Sequence, residues 1–131
     1  MTHILVIDDD KLFRSMMRRT LESAGHEVIE AESGNAGLRV FAAKAADLVI
    51  TDILMPDKEG IETIRELRGR GHAVKILAVS GGGQAKMLEF LRIAERFGAD
   101  ASLRKPFRSQ DLLDQVAGLV GASATPRGLS K

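Results

Sequence analysis

The chain has 131 residues and a formal net charge of +1, a length that suits one domain burying about two thirds of its unfolded surface and a charge that gives no global pull toward nucleic acid or an anionic membrane. It has no cysteine and therefore no disulfide, and no apolar run nears the roughly 20 residues that a bilayer span needs. Met1-Thr2-His3 leads straight into a strand pattern without the features of a signal peptide, so the expectation is a cytoplasmic, single-domain protein with no membrane insertion and no direct DNA binding.

Strand and helix signals then alternate five times. Ile4-Leu5-Val6-Ile7 marks a strand over 3–8, and Phe13, Met16, Met17 and Leu21 at helical spacing predict a helix over 11–24, stopped by Gly25. A second strand over 27–31 precedes an alanine-rich helix over 34–45 with Leu38 and Phe41 turned inward. The third strand, 47–51, leads to a helix over 59–69 that places Ile61, Ile64 and Leu67 on one face. After a fourth strand, 74–79, residues 85–97 form a helix apolar over a wide arc and stopped by Gly98. A fifth strand, 101–104, is followed by a helix over 109–120 that buries Leu112, Leu113, Val116 and Val120 behind Ser109 as N-cap. The domain is expected to span 1–121, with 122–131, small and polar, as a flexible tail.

Strict βα alternation with short Val/Ile-rich strands predicts a parallel sheet with helices on both faces. Five strands suit the flavodoxin-like (βα)5 order 2-1-3-4-5, an α/β doubly wound sheet whose switch point lies between strands 1 and 3. In such a sheet the C-terminal ends of all strands share one edge. Asp8 and Asp9 follow strand 1, Asp52 strand 3, Ser80 strand 4 and Lys105 strand 5. Convergence of three carboxylates, a hydroxyl and an ammonium describes a site for a divalent cation and a phosphoryl group.

Each of these residues also has a plainer reading on its own. One Asp at a strand-to-helix turn is often only an N-cap, but Asp8-Asp9-Asp10 exceeds what a cap requires, and Asp10, nearest the helix, suits that role. Asp8 and Asp9 would repel each other and Asp52 unless a cation neutralised them, and Mg2+ takes one or two carboxylates plus phosphate oxygens. Asp52 alone reads equally well as a turn residue. Ser80-Gly81-Gly82-Gly83 is either a floppy loop or a place where backbone N–H groups approach phosphate oxygens closely. Lys105 alone would be a solvated lysine before a turn proline. His3 and His26 flank strands and lack partner ligands, His72 reads as solvated in a Gly-rich turn, and Arg14, Arg18 and Arg19 read as an exposed helix face.

Taken together, the acidic pair, Asp52 with Met55-Pro56 and Gly60, Ser80 and Lys105-Pro106-Phe107 resemble the receiver domain of bacterial two-component response regulators, from about Thr2 to Gly121. The resemblance implies a stand-alone, chemotaxis-regulator-like receiver. It would accept a phosphoryl group on Asp52 from a histidine kinase or histidine phosphotransfer protein, and would not be an enzyme beyond its own phosphorylation and dephosphorylation. It implies Mg2+ held by Asp9 directly, Asp8 through water, the Asp52 carboxylate and the Leu54 carbonyl. Ser80, Gly81 and Lys105 would meet the phosphoryl group, with a cis Lys105–Pro106 bond aiming the ammonium, and residues 84–120 would face a downstream protein. One departure stands out: the family's usual aromatic three positions before the lysine is Ser102 here, which removes the familiar aromatic read-out. The competing reading is a haloacid-dehalogenase-like, Mg2+-dependent phosphatase using Asp8-Asp9-Asp10. It has Leu12 where a small or β-branched residue is expected, lacks an acidic pair after Lys105, and leaves Asp52 unexplained.

Overall fold

The computed structural model describes residues 2–53, 60–69, 73–81 and 92–124, with side chains as far as 121. Its strands are β1 (His3–Ile7), β2 (Glu27–Ala31), β3 (Leu48–Asp52), β4 (Lys75–Ser80) and β5 (Ala101–Arg104). They form one parallel sheet in the order β2-β1-β3-β4-β5, the flavodoxin-like order expected from the sequence. The helices are α1 (Lys11–Ser23), α2 (Gly34–Ala43), α3 (Gly60–Gly69) and α5 (Ser109–Ala124), and the helical residues 92–96 belong to α4.

The period-2 alternation of the central strands divides the core into two layers. Leu5, Ile7, Val49, Ile76 and Ala78 point to one face and pack with Leu38, Phe41, Ile64, Leu67 and Ala94 from α2, α3 and α4. Ile4, Val6, Leu48, Ile50, Leu77 and Val79 point to the other and meet Met17 and Leu21 of α1 and Leu112 and Val116 of α5. Each fully buried side chain of this size contributes about 1.5–3 kcal/mol. Strands β1, β3, β4 and β5 are thereby fixed in register, with Ile7 opposite Thr51, Asp52 opposite Val79 and Ser80 opposite Arg104. That register sets the polar residues side by side along one sheet edge.

The helix ends follow local chemistry, with three corrections. Asp10 caps α1 by accepting the N–H groups of Leu12 and Phe13, and Gly25 follows with φ of 93°, a left-handed position that glycine adopts without a Cβ penalty. Ser109 is not the cap of α5 but its first residue. The Arg108 carbonyl accepts the first helical N–H groups, while the Arg108 N–H donates to the Asp111 carboxylate at 2.9 Å, the reciprocal half of a capping box. Helix α5 also runs on to Ala124, four residues past the expected end at 120, where Ala122 and Ala124 have high helix propensity. Helix α2 ends at Ala43, two residues short of the expected end.

Candidate functional site: an acidic pocket at the strand ends

Strands β1 and β3 end side by side, which places Asp52, the last residue of β3, and Asp8, the first residue after β1, at the switch point. Asp8 is fully buried and Asp52 is 8% exposed, whereas Asp9 faces solvent. One carboxylate oxygen from each of the three lies within 4.8 Å of the others. Burying two carboxylates so close together is costly unless each is paired, and the pairing is visible. The Asp10 N–H donates to Asp8 Oδ1 at 2.9 Å, and Lys105 Nζ reaches Asp8 Oδ2 at 3.0 Å and Asp52 Oδ2 at 3.5 Å.

Lys105 gets there because its backbone is tied to the neighbouring strand. Its N–H donates to the Ser80 carbonyl at 2.7 Å, and the Lys105–Pro106 bond is cis, as the resemblance implied. Ser80 is buried at the end of β4, and Gly81 follows it against the lysine stem, where a Cβ would lie 3.3 Å from Lys105 Cδ. Behind Asp52, Ile53 is buried and its N–H donates to the Val79 carbonyl at 3.1 Å. Gly60 opens α3 directly over this strand end: an added Cβ would overlap the Asp52 carbonyl oxygen, so the close approach requires glycine there.

Asp8, Asp9, Asp52, Ser80, Gly81 and Lys105 therefore come together at one edge. Leu54, Met55-Pro56, Gly82, Gly83, His72 and most of the expected apolar helix 85–97 lie outside the described residues. In the described part of that helix Ala94 is buried and Phe97 is exposed.

One surface reading needs correction. Arg14 is not on an exposed face. Its guanidinium donates to the Asp8 carbonyl oxygen at 2.7 Å and to Glu30 at 2.7 Å, fixing the turn that presents the acidic pair. Arg18 joins the same carboxylate at 2.9 Å, and the Arg18 hydrogen bond, with Arg14 beside it, holds the Glu30 carboxyl below its ordinary range. Helical periodicity gave no hint of this, because the partner is a carboxylate on the neighbouring strand. His3 Nε2 lies 2.6 Å from Glu27 at the opposite edge of the sheet. Ser102, in place of an aromatic ring, donates to Glu95 at 2.8 Å and ties β5 to α4.

The donor set fits Mg2+. It is all oxygen, two of its members are buried and held in place, and the third opens to water, as a cation that keeps part of its hydration shell requires. Three carboxylates against one ammonium leave two negative charges uncompensated within the cluster.

Comparison with known proteins agrees with this geometry. Residues 4–117 match the family model for the response regulator receiver domain. The chain is 34% identical over 122 residues to response regulator MprA of Mycolicibacterium vanbaalenii, covering 89% of this chain and 49% of that protein. It is 40% identical over 108 residues to the KDP operon transcriptional regulatory protein KdpE of Escherichia coli, covering 82% of this chain and 46% of the other. The chain thus spans about half the length of the curated relatives it matches. Among solved structures, a response regulator receiver domain protein from Clostridium thermocellum superposes with a TM-score of 0.85 at 32% identity, covering 94% of this chain and 97% of that one. Chemotaxis protein CheY4 of Vibrio cholerae gives 0.82 at 27% identity, covering 91% and 98%.

Among the described residues, no helix is long and apolar enough to cross a membrane. The phosphatase alternative is set aside by the family match, and Asp10, the third residue of its motif, is taken up as a helix cap. The chain belongs to the response regulator receiver domain family, a signalling family rather than one of conventional enzymes.

Proposed function

We propose that this receiver domain accepts a phosphoryl group on Asp52 from a histidine kinase or a histidine phosphotransfer protein, in the cytoplasm and with Mg2+. The observation that carries the reading is the Lys105 ammonium bridging the buried Asp8 and Asp52 carboxylates beside an exposed Asp9. A cluster of this kind has a nucleophile, a point charge for phosphoryl oxygens and an oxygen donor set for a hard cation.

In the step itself, an Asp52 carboxylate oxygen attacks phosphorus and forms an O–P bond. The P–N bond of the phosphohistidine donor breaks, its electron pair stays on the imidazole nitrogen, and the donor leaves as histidine. Bound Mg2+ would supply charge neutralisation for the phosphoryl oxygens and the carboxylates. Asp9 would hold it directly and Asp8 through water, with the Asp52 carboxylate and the Leu54 carbonyl completing the protein ligands. Lys105 would pair with a phosphoryl oxygen, while the Ser80 hydroxyl and the Gly81 N–H would donate to the others.

The phosphorylated domain would then act on a protein partner through residues 84–120, or pass the group on as a relay intermediate. The names of the curated relatives, response regulators among them, support a signalling output. With Ser102 bonded to Glu95, the read-out would be movement of the 81–83 loop and of α4 without an aromatic switch.

Incubation with acetyl phosphate and Mg2+ tests the reading. An acid-labile adduct of one phosphoryl group is expected, lost in Asp52→Asn and in chelator. An adduct that survives in Asp52→Asn would refute the assignment.

A further inference from the structure

A lysine ammonium sits at the end of four methylenes, and aiming it costs rotamer freedom. In this pocket the carboxylates are not its sole anchors. Lys105 Nζ lies over the face of Phe13, 3.9 Å from the ring centroid. That ring is itself fixed: Phe107 meets it edge-on, with centroids 5.4 Å apart and planes at 80°. Phe107 is two residues beyond Lys105, so the loop that carries the lysine also clamps the ring beneath its charge. By sequence alone Phe13 reads as one more inward residue of α1, and the packing it makes at the edge of the core agrees with that. The position of the ammonium gives it a second role.

We propose that Phe13 is a positioning residue for Lys105, keeping the ammonium in the pocket once the carboxylates turn to a divalent cation. The inference rests on the phosphoacceptor reading above. The argument is one of charge. Asp8 and Asp52 hold Lys105 only while they remain uncompensated, and a cation placed among them both weakens that attraction and repels the ammonium. The ring's attraction survives this change, because a π face neither titrates nor ligates a hard cation. An aliphatic side chain at position 13 would fill similar space and offer no such hold. Lys105 would then be freer to leave at the stage when a phosphoryl oxygen needs it.

Two measurements test this. In the first, the Lys105 ε-methylene protons are followed by NMR during a titration with Mg2+ alone. An upfield ring-current displacement is expected in the wild-type protein, persisting at saturating Mg2+. Its collapse on adding Mg2+ overturns the inference, whatever the phosphorylation result, and this arm needs no variant to fold.

In the second, labelling by acetyl phosphate is measured against donor concentration. Phe13→Leu should lower the rate at saturating donor roughly fivefold to tenfold, the scale of one partly desolvated cation–π contact. Mg2+ affinity and the half-saturating donor concentration should be unchanged, and Phe13→Tyr should restore the rate. A wild-type rate in Phe13→Leu overturns the inference alone. Failure of the wild-type protein to label at all overturns the phosphoacceptor reading instead.

Discussion

Replacing Lys105 with methionine keeps the stem and removes the charge, leaving Asp8 and Asp52 buried with no ammonium between them. At an effective dielectric near 20, the two ion pairs at 3.0 and 3.5 Å are each worth about 5 kcal/mol before desolvation. Carboxylate oxygens up to 4.8 Å apart repel by about 3.5 kcal/mol on the same scale. Desolvation offsets much of the gross attraction, and breaking one partner out of a buried pair costs about 3–5 kcal/mol in practice. Lys105 and Asp52 keep some solvent contact, so the lower end applies, about 3 kcal/mol, or a fall in Tm on the order of 10 °C for a domain of this size.

The assay is thermal or urea unfolding in chelator. Lys105→Met should unfold well below wild type, and the double variant Lys105→Met/Asp52→Asn should recover more than half of the loss. Mg2+ should stabilise Lys105→Met more than wild type, since it replaces the missing positive charge. A Lys105→Met protein as stable as wild type in chelator would refute the reasoning, because the carboxylates would then not need the ammonium.

Asp9 is exposed and makes no ion pair among the described residues. Asp9→Asn should therefore raise Tm slightly in chelator while losing most of the stabilisation that Mg2+ gives the wild-type protein, as paired melts with and without the ion would show. Glu30 has a folded-state pKa below its unfolded value of 4.5, so its contribution is present above that pH and is lost as pH falls through the folded value. Glu30→Gln should accordingly cost most near neutral pH and converge with wild type in acid, read from urea midpoints across pH. Gly60→Ala should destabilise by about 3 kcal/mol, because the new Cβ meets backbone at Asp52 and Ile53 that cannot swing aside. Gly118→Ala in α5, where nothing lies within 4 Å of an added Cβ, should stabilise by up to about 1 kcal/mol in the same melts.

The strand runs were legible because strands buried on both faces read as near-continuous apolar stretches. Leu5 and Ile7 against Ile4 and Val6 already divide the two core layers. The pocket was legible for a related reason: parallel strands share an edge, so a polar residue after each apolar run has one place to go. What escaped the sequence were contacts between elements that carry no period. Arg14 looked like solvated surface because its partners, Glu30 and the Asp8 carbonyl, are set by how α1 lies along β2. The start of α5 was misplaced by one residue because serine is a common cap, while Asp111 here bonds back to the Arg108 N–H. Ser102 was seen as a missing ring, but not as a donor to Glu95, which required knowing how α4 sits beside β5.

The central claim is that Asp52, and not Asp8 or Asp9, becomes the acyl phosphate. Borohydride reduction of the phosphorylated protein, followed by peptide mass spectrometry, tests it most directly, because reduction converts a phosphorylated aspartate to homoserine where it stands. The account predicts homoserine at position 52 alone, and only when Mg2+ is present. Homoserine at position 8 or 9, with position 52 unmodified, would contradict it.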